Sequence, residues 1–159
     1  RRRHEIVSER YRAWPQPESH RGRGMSSAEK IQALQCLVVT PEKVLLDSPA
    51  DFVALPLYDG ELGVLPGRRP LVGKLGYGAL RVRRGDTTLR MFVDGGFVQI
   101  RRNVVTVLTP QAWPCEQLDA ARLRQELQQV QQDRSLTPDV RQQRTARLLA
   151  MLRMMQPSA

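Results

Sequence analysis

The chain has 159 residues, which is enough for one ordinary domain with a hydrophobic core and a small appendage. Its formal net charge is +9, and only 5% of its residues are aromatic, so a core must be built mainly from aliphatic side chains. No apolar run approaches the roughly 18 residues that span a bilayer, and the two distant cysteines, Cys36 and Cys115, suggest neither a zinc motif nor a disulfide framework.

Residues 1–31 are predicted to be a disordered N-terminal extension, because they are rich in Arg, Pro and Gly and lack a sustained apolar period. Residues 1–24 alone hold seven arginines against three glutamates, together with both histidines, His4 and His20. The rest of the chain therefore has no histidine for acid–base catalysis, and its arginines are dispersed.

Residues 32–110 are predicted to form an all-β domain. Short apolar segments follow one another at about eight- to ten-residue spacing, with turn residues between them, as in antiparallel sandwiches and barrels. We expect about eight to ten short strands. Arg84-Gly85-Asp86 and Asp94-Gly95-Gly96 are expected at hairpin connections, since Gly and Asp tolerate positive φ. The segments are LQCLVV, KVLLD, FVALPL, GVLP, ALRVRR, TTLRMFVD, GFVQI and NVVTVL.

Residues 111–115 are predicted to be a linker, and residues 116–157 an antiparallel α-hairpin. The hairpin segment has no glycine and is rich in helix formers. A first helix is expected over 116–133, and a second begins at Thr137 as N-cap with Pro138 in the first helical position. The predicted apolar stripes are Ala120, Leu123, Leu127 and Val130 on the first helix, and Val140, Leu148, Met151, Leu152 and Met155 on the second.

The glycine-rich stretch over residues 58–82 does not meet the requirements of a nucleotide-binding loop. The segment Gly67 to Leu75 has five residues between its glycines where a phosphate loop has four, and it ends in Leu where Ser or Thr is required. A dinucleotide fingerprint starting at Gly76 fails because Arg81 replaces its third glycine. Tight turns and close backbone approaches explain these glycines better. No catalytic triad, metal cluster or carboxylate pair can be assembled, so an enzyme acting alone is not predicted.

Four ordered segments carry a family resemblance. They resemble the epsilon subunit of the bacterial and chloroplast ATP synthase, which corresponds to the mitochondrial delta subunit. The segments are DGELGVLPGRRPL at 59–71, GALRV at 78–82, FVDGGFVQIRRNVVTVL at 92–108 and LDAARL at 118–123.

The resemblance implies a non-catalytic rotor subunit in the central stalk of a proton-translocating ATP synthase. Its sandwich would grip the gamma subunit and rest on the c-ring. Its C-terminal helices would reach the catalytic beta subunits and inhibit ATP hydrolysis. The implied location is peripheral, on the cytoplasmic face of a bacterial inner membrane, with the chloroplast thylakoid as the alternative.

The resemblance also implies roles for particular residues. Arg68 stands where the family commonly has His. Its permanently charged guanidinium would bind a gamma carboxylate bidentately. The implied c-ring contacts are Glu61, Leu62 and Gly63, and the implied gamma contacts are Pro66, Gly67, Arg68 and Pro70. The implied contacts with beta are Arg141, Arg144 and Arg147.

Asp119 and Arg122 match the positions at which some family members bind regulatory ATP; no other cofactor and no metal are implied. Helix capping and a local ion pair would explain both residues without a ligand. The sequence departs from that ATP pattern, because Trp113 replaces an acidic residue and no basic pair spaced four apart ends the second helix; Arg147 and Arg153 are six apart.

Two other functions stay open at the level of sequence. The basic charge is compatible with a β module that binds nucleic acid, for which salt-dependent binding would be diagnostic. A sandwich with an attached hairpin is equally compatible with an unrelated assembly adaptor.

Overall fold

The computed structural model describes residues 33–156. The predicted disordered extension over 1–31 lies outside the described residues. Eight strands precede two helices. The strands are β1 (Leu34–Val39), β2 (Val44–Ala50), β3 (Phe52–Leu57), β4 (Gly60–Val64), β5 (Leu71–Arg84), β6 (Thr87–Arg101), β7 (Val104–Leu108) and β8 (Ala112–Pro114); the helices are α1 (Ala120–Gln132) and α2 (Pro138–Met155). The predicted β-sandwich followed by a two-helix hairpin is confirmed.

The strands are hydrogen-bonded in the order β2-β1-β7-β6-β5-β3-β4, and β8 pairs with β6. Residues 112–114, inside the predicted linker over 111–115, therefore form a strand of the sheet. Most neighbours are antiparallel, as expected, but β1 and β7 run parallel. The sequence could not indicate this pair, because its two strands are separated by most of the sandwich in the chain. Aliphatic side chains fill the interior, among them Leu34, Val53, Leu80, Val98 and Ile100. Each buried side chain of this size contributes about 1.5–3 kcal/mol to the free energy of unfolding.

Two strands are much longer than the sequence indicated. The predicted segment ALRVRR is only the second half of β5, and TTLRMFVD and GFVQI are the two halves of β6. Gly85 does lie in the hairpin between them, with φ 55°. The second predicted hairpin, at Asp94-Gly95-Gly96, is wrong, because these residues lie inside β6 and pair with β5.

Gly96 shows why glycine is needed within β6. Its φ is 102°, and a Cβ at this position would overlap the carbonyl oxygen of Leu108 on β7. A residue without a side chain is therefore required for β6 and β7 to approach each other here. This agrees with the interpretation of the glycines as sites of close backbone approach.

The helical hairpin has its own apolar cluster, which includes one residue of the sheet. Phe92 is fully buried and points away from the sandwich interior, whereas its neighbours Met91 and Val93 point into that interior. It packs with Leu148 and Met151 of α2, and its ring lies 6.0 Å from that of Trp113. The hairpin is thereby attached to the outside of β6.

The helix predictions need three corrections. A 3-10 turn occupies Cys115–Gln117 and α1 begins only at Ala120, not at residue 116, because Asp119 takes the N-cap position. Val140 was predicted to be in the buried stripe of α2 but is 37% exposed, and Met154, which was not predicted, is buried in its place. Thr137 caps α2 and Pro138 follows it, as predicted.

Among the described residues, neither helix combines the length and the apolar character that a membrane crossing requires.

Candidate functional site

Glu61, Leu62 and Gly63 lie on β4, the strand at one edge of the sheet order. Glu61 pairs with β3 as part of a regular hairpin. Its carboxylate lies 2.5 Å from the Arg81 guanidinium, and both side chains are largely exposed. Leu62 packs against the core. Glu61 is therefore the residue of the three whose side chain is available at the surface, and its charge is shared with Arg81.

Pro66, Gly67, Arg68 and Pro70 form the loop between β4 and β5. The backbone N–H of Arg68 donates to the carbonyl of Leu65 at 3.3 Å, and Gly67 has φ 84°. Proline followed by glycine at positive φ is the composition of a type II turn. The N–H of Gly67 also donates to Oδ1 of Asn103, at 2.8 Å, in the hairpin between β6 and β7. The loop is thus fixed to the body of the sandwich and presents Arg68 to solvent.

An apolar surface that sequence reasoning missed lies beside this loop. We call it the outer face; it comprises Val72, Phe97, Val104 and Leu108. These side chains are 72%, 57%, 37% and 47% exposed. Phe97 and Leu108 stand directly opposite each other in the pairing of β6 with β7. The available signal was the alternation in FVQI, which puts Phe97 on the wet face of its strand.

The hairpin docks on the sandwich through two polar contacts on either side of Phe92. Arg90 of β6 donates to the Met154 carbonyl at 2.6 Å, near the C-terminal end of α2. Asp94 of β6 forms an ion pair with Arg147 of α2. Positions 90, 92 and 94 share one side of the strand, and positions 147, 151 and 154 share one side of the helix. We call the two contacts the latch.

The three arginines expected to contact beta therefore have different surroundings. Arg141 donates to the carbonyls of Asp133 and Leu136, at 2.7 and 3.3 Å, and so braces the connection between the helices. Arg144 is exposed, and Arg147 is held in the latch. The pKa of Asp133, near the same connection, is lowered first by hydrogen bonds from Ser135 and then by Arg141 and Arg144.

Asp119, Arg122, Arg144 and Arg147 line one cavity of about 600 Å³ between the hairpin and the β8 region. Trp113 and Glu126 also line it. The structure thus brings the two residues expected to bind ATP together with two of the three arginines expected to contact beta. The Asp119 carboxylate accepts hydrogen bonds from the N–H groups of Ala121 and Arg122, at 2.9 and 3.4 Å, so it also caps α1.

The cap gives a first prediction. Asp119→Ala should lower the free energy of unfolding by about 1 kcal/mol, whereas Asp119→Asn should change it little, because Asn is an equally good N-cap. Urea denaturation of both variants measures the difference. Equal losses in the two variants would show that the negative charge, and not the cap, is what stabilises the helix.

A sequence model of the ATP synthase delta/epsilon chain, beta-sandwich domain, matches residues 33–114. The chain belongs to the ATP synthase delta/epsilon family. The ATP synthase epsilon chain of Rhodopirellula baltica is 55% identical over 87 residues, which are 55% of this chain and 68% of the relative. The epsilon chain of Desulforamulus reducens is 40% identical over 95 residues, covering 60% of this chain and 72% of the relative.

Chains in two solved structures share this fold. A chain in the mitochondrial ATP synthase of Euglena gracilis (OSCP/F1/c-ring) has a TM-score of 0.65 at 24% identity; the alignment covers 98% of this chain and 96% of that chain. A chain in the central stalk/c-ring structure of the Tetrahymena thermophila mitochondrial ATP synthase has a TM-score of 0.56 at 14% identity, covering 79% and 98%. The likeness to the Euglena chain extends through the hairpin, beyond the residues that the delta/epsilon domain model matches.

The matched domain contains the residues expected to contact the c-ring and gamma, together with the outer face, Arg90 and Asp94. Arg141, Arg144, Arg147 and most of the cavity lie after it. Family membership therefore rests on the sandwich. Within residues 33–156, no three His, Cys, Asp or Glu side chains converge in a way that could hold a metal ion.

Proposed function

We propose that this chain is the non-catalytic epsilon subunit of the central stalk of a proton-translocating ATP synthase, linking the gamma subunit to the c-ring during rotation. The observation that carries the proposal is the match of the delta/epsilon sandwich domain to residues 33–114, in a chain that presents an apolar sheet face on that same domain. Family membership favours this function over a nucleic-acid-binding module or an unrelated adaptor.

The outer face is proposed as the surface that grips gamma. Exposed Phe, Leu and Val side chains on rigid, paired strands provide an apolar contact at little cost in conformational entropy. The hairpin covers another part of the sandwich, around Phe92, so it leaves the outer face open. Pro66, Gly67, Arg68 and Pro70 extend the proposed gamma contact from the neighbouring loop, and Glu61, Leu62 and Gly63 on β4 are the proposed c-ring contact.

The two apolar clusters, one in the sandwich and one in the hairpin, define two parts of the chain with different proposed roles. We propose a grip domain over residues 32–110, to which β8 within the predicted linker over 111–115 adds a strand, and a hairpin over 116–157 that inhibits ATP hydrolysis when it leaves the sandwich and reaches the beta subunits. Arg141, Arg144 and Arg147 would supply the positive charge for that contact. The proposed location is peripheral, on the cytoplasmic face of a bacterial inner membrane.

Reconstitution tests this function. The chain should restore ATP-driven proton pumping when it is added to ATP synthase from which epsilon has been removed, because its proposed role is to link gamma to the c-ring. Failure of the chain both to bind the depleted enzyme and to restore pumping would contradict the proposal.

A second proposal is that regulatory ATP binds in the cavity lined by Asp119 and Arg122. Arg122, Arg144 and Arg147 offer guanidinium groups to phosphate, and the volume of about 600 Å³ falls in the range of ligand pockets. Arg147 is shared with Asp94, and Asp119 is occupied as a cap, so the residues fit an anionic ligand only through Arg122, Arg144 and a released or shared Arg147.

Calorimetric titration with ATP separates binding from capping. Arg122→Gln should weaken ATP binding by about tenfold or more, since a charged hydrogen bond contributes about 1.5–3 kcal/mol. Arg124→Gln is the matched control, because Arg124 lies on the same helix but does not line the cavity. Absence of binding to the unaltered chain would leave the cavity without this role.

A further inference from the structure

Four arginines gather at one end of the sandwich, next to the outer face. Arg68 and Arg69 lie in the loop before β5, and Arg101 and Arg102 lie at the end of β6; all four are exposed. We call them the arginine cluster. The hydrogen bond from Gly67 to Asn103 brings the two segments together, because Arg68 and Arg102 are the immediate chain neighbours of the bonded residues.

Arg102 is held in an unfavourable backbone conformation. It forms, with Asn103, the two-residue turn between β6 and β7, and the φ angles of the two residues are 51° and 61°. Such turns favour Asn or Gly at both positions, and a long side chain is disfavoured at positive φ. Asn103 follows the preference and Arg102 does not. Backbone strain of this kind concentrates where a side chain serves a function.

The cluster carries an unbalanced charge. Residues 62–72 and 95–104 contain no Asp or Glu. Asp47 on β2 lies across β1, and it accepts a hydrogen bond from the Gln35 side chain. Among residues 33–156, the ion pairs are Arg81 with Glu61 and Arg147 with Asp94, so none of the four arginines takes part in one.

The cluster is continuous with the outer face. Arg101 lies opposite Val104 in the pairing of β6 with β7, and it shares the side of β6 that carries Phe97. An apolar centre bordered by arginines is the composition of a protein–protein interface. Arginine is also the residue that recognises carboxylates bidentately.

We infer that the arginine cluster is the electrostatic border of the gamma-binding surface, and that it docks against a carboxylate-rich segment of gamma. This inference rests on the proposed function and adds the chemistry of the partner. Charge at the border of an interface acts mainly by accelerating association, and it does so less at high salt.

Stopped-flow binding to the gamma-containing catalytic head, with its own epsilon removed, tests the inference at several salt concentrations. Arg101→Glu with Arg102→Glu should slow association at low salt by at least about tenfold and flatten its salt dependence. Arg124→Glu, an exposed arginine of α1, is the matched control and should leave the rate unchanged.

A second variant separates function from folding. Arg102→Asn should raise the thermal midpoint by about 2–4 °C, because Asn tolerates positive φ, and still slow association. Higher stability together with slower association would show that Arg102 contributes to binding gamma and not to folding. Unchanged association of both variants would overturn the inference.

These binding experiments also distinguish failure of the inference from failure of the proposed function on which it rests. If variants of Phe97 and Leu108 lose gamma while the arginine variants associate normally, the gamma grip stands and the electrostatic border is refuted. If the unaltered chain does not bind gamma, both fail. If the arginine variants lose binding only to vesicles containing phosphatidylglycerol, and not to gamma, the cluster faces lipid and the inference is wrong.

Discussion

Phe97→Asp combined with Leu108→Asp is expected to reduce binding to gamma by more than about 100-fold. The two side chains are adjacent on the outer face, where they are 57% and 47% exposed. A buried aromatic anchor at an interface contributes about 2–4 kcal/mol to binding, and charge placed there would be desolvated without a partner. The equilibrium constant for binding to the gamma-containing head, measured by surface plasmon resonance, is the readout.

The matched control uses the same chemistry at another place. Val140→Asp with Leu149→Asp alters two side chains of α2 that are 37% and 38% exposed. This control should keep its affinity for gamma. Because all four positions are exposed, each variant is expected to fold, which circular dichroism checks. Wild-type affinity in the Phe97 and Leu108 variant would contradict the proposed grip.

Opening the latch is expected to strengthen inhibition of ATP hydrolysis. Asp94→Asn with Arg90→Gln removes the ion pair and the charge of the hydrogen bond between β6 and α2, but leaves the charge of the hairpin arginines intact. A partly exposed ion pair and a charged hydrogen bond together contribute about 2 kcal/mol, so the released hairpin should become about thirtyfold more populated. Hydrolysis by an epsilon-depleted head, titrated with the variant, measures this.

Arg147→Gln distinguishes release from charge. It also breaks the pair with Asp94, but it removes one of the cations that we propose for the contact with beta. It should therefore inhibit less than the double variant of Asp94 and Arg90, although both loosen the hairpin. Equal inhibition by the two would show that Arg147 does not contact beta. Unchanged inhibition by the double variant would show that the latch does not restrain the hairpin.

Much of the architecture follows from local patterns. The period-two segments gave the strands, the glycine-free segment gave the helices, and Thr137-Pro138 gave the start of α2, because each of these signals acts within a few residues. Length was harder. β6 continues through Asp94-Gly95-Gly96, because pairing with β5 on one side and the approach of β7 on the other hold glycines that would elsewhere form a turn.

The candidate surfaces were less accessible from the sequence. Arg147 and Asp94 are 53 residues apart, and nothing local indicates that they pair. The outer face is spread over three strands, so its side chains become neighbours only once the strand order is known. Asp119, by contrast, was a capping candidate from its place near the start of a run of helix formers, and it does cap α1, although the predicted helix start at residue 116 was wrong.

The central claim is that the sandwich grips gamma and the hairpin restrains hydrolysis. The most direct test measures ATP hydrolysis by an epsilon-depleted catalytic head titrated with the whole chain and with a chain ending at Pro114, which keeps β8 paired with β6. Binding of each to gamma is measured in parallel. We predict that both bind gamma and that only the whole chain suppresses hydrolysis. If the shorter chain folds but does not bind gamma, or suppresses hydrolysis equally well, the account is contradicted.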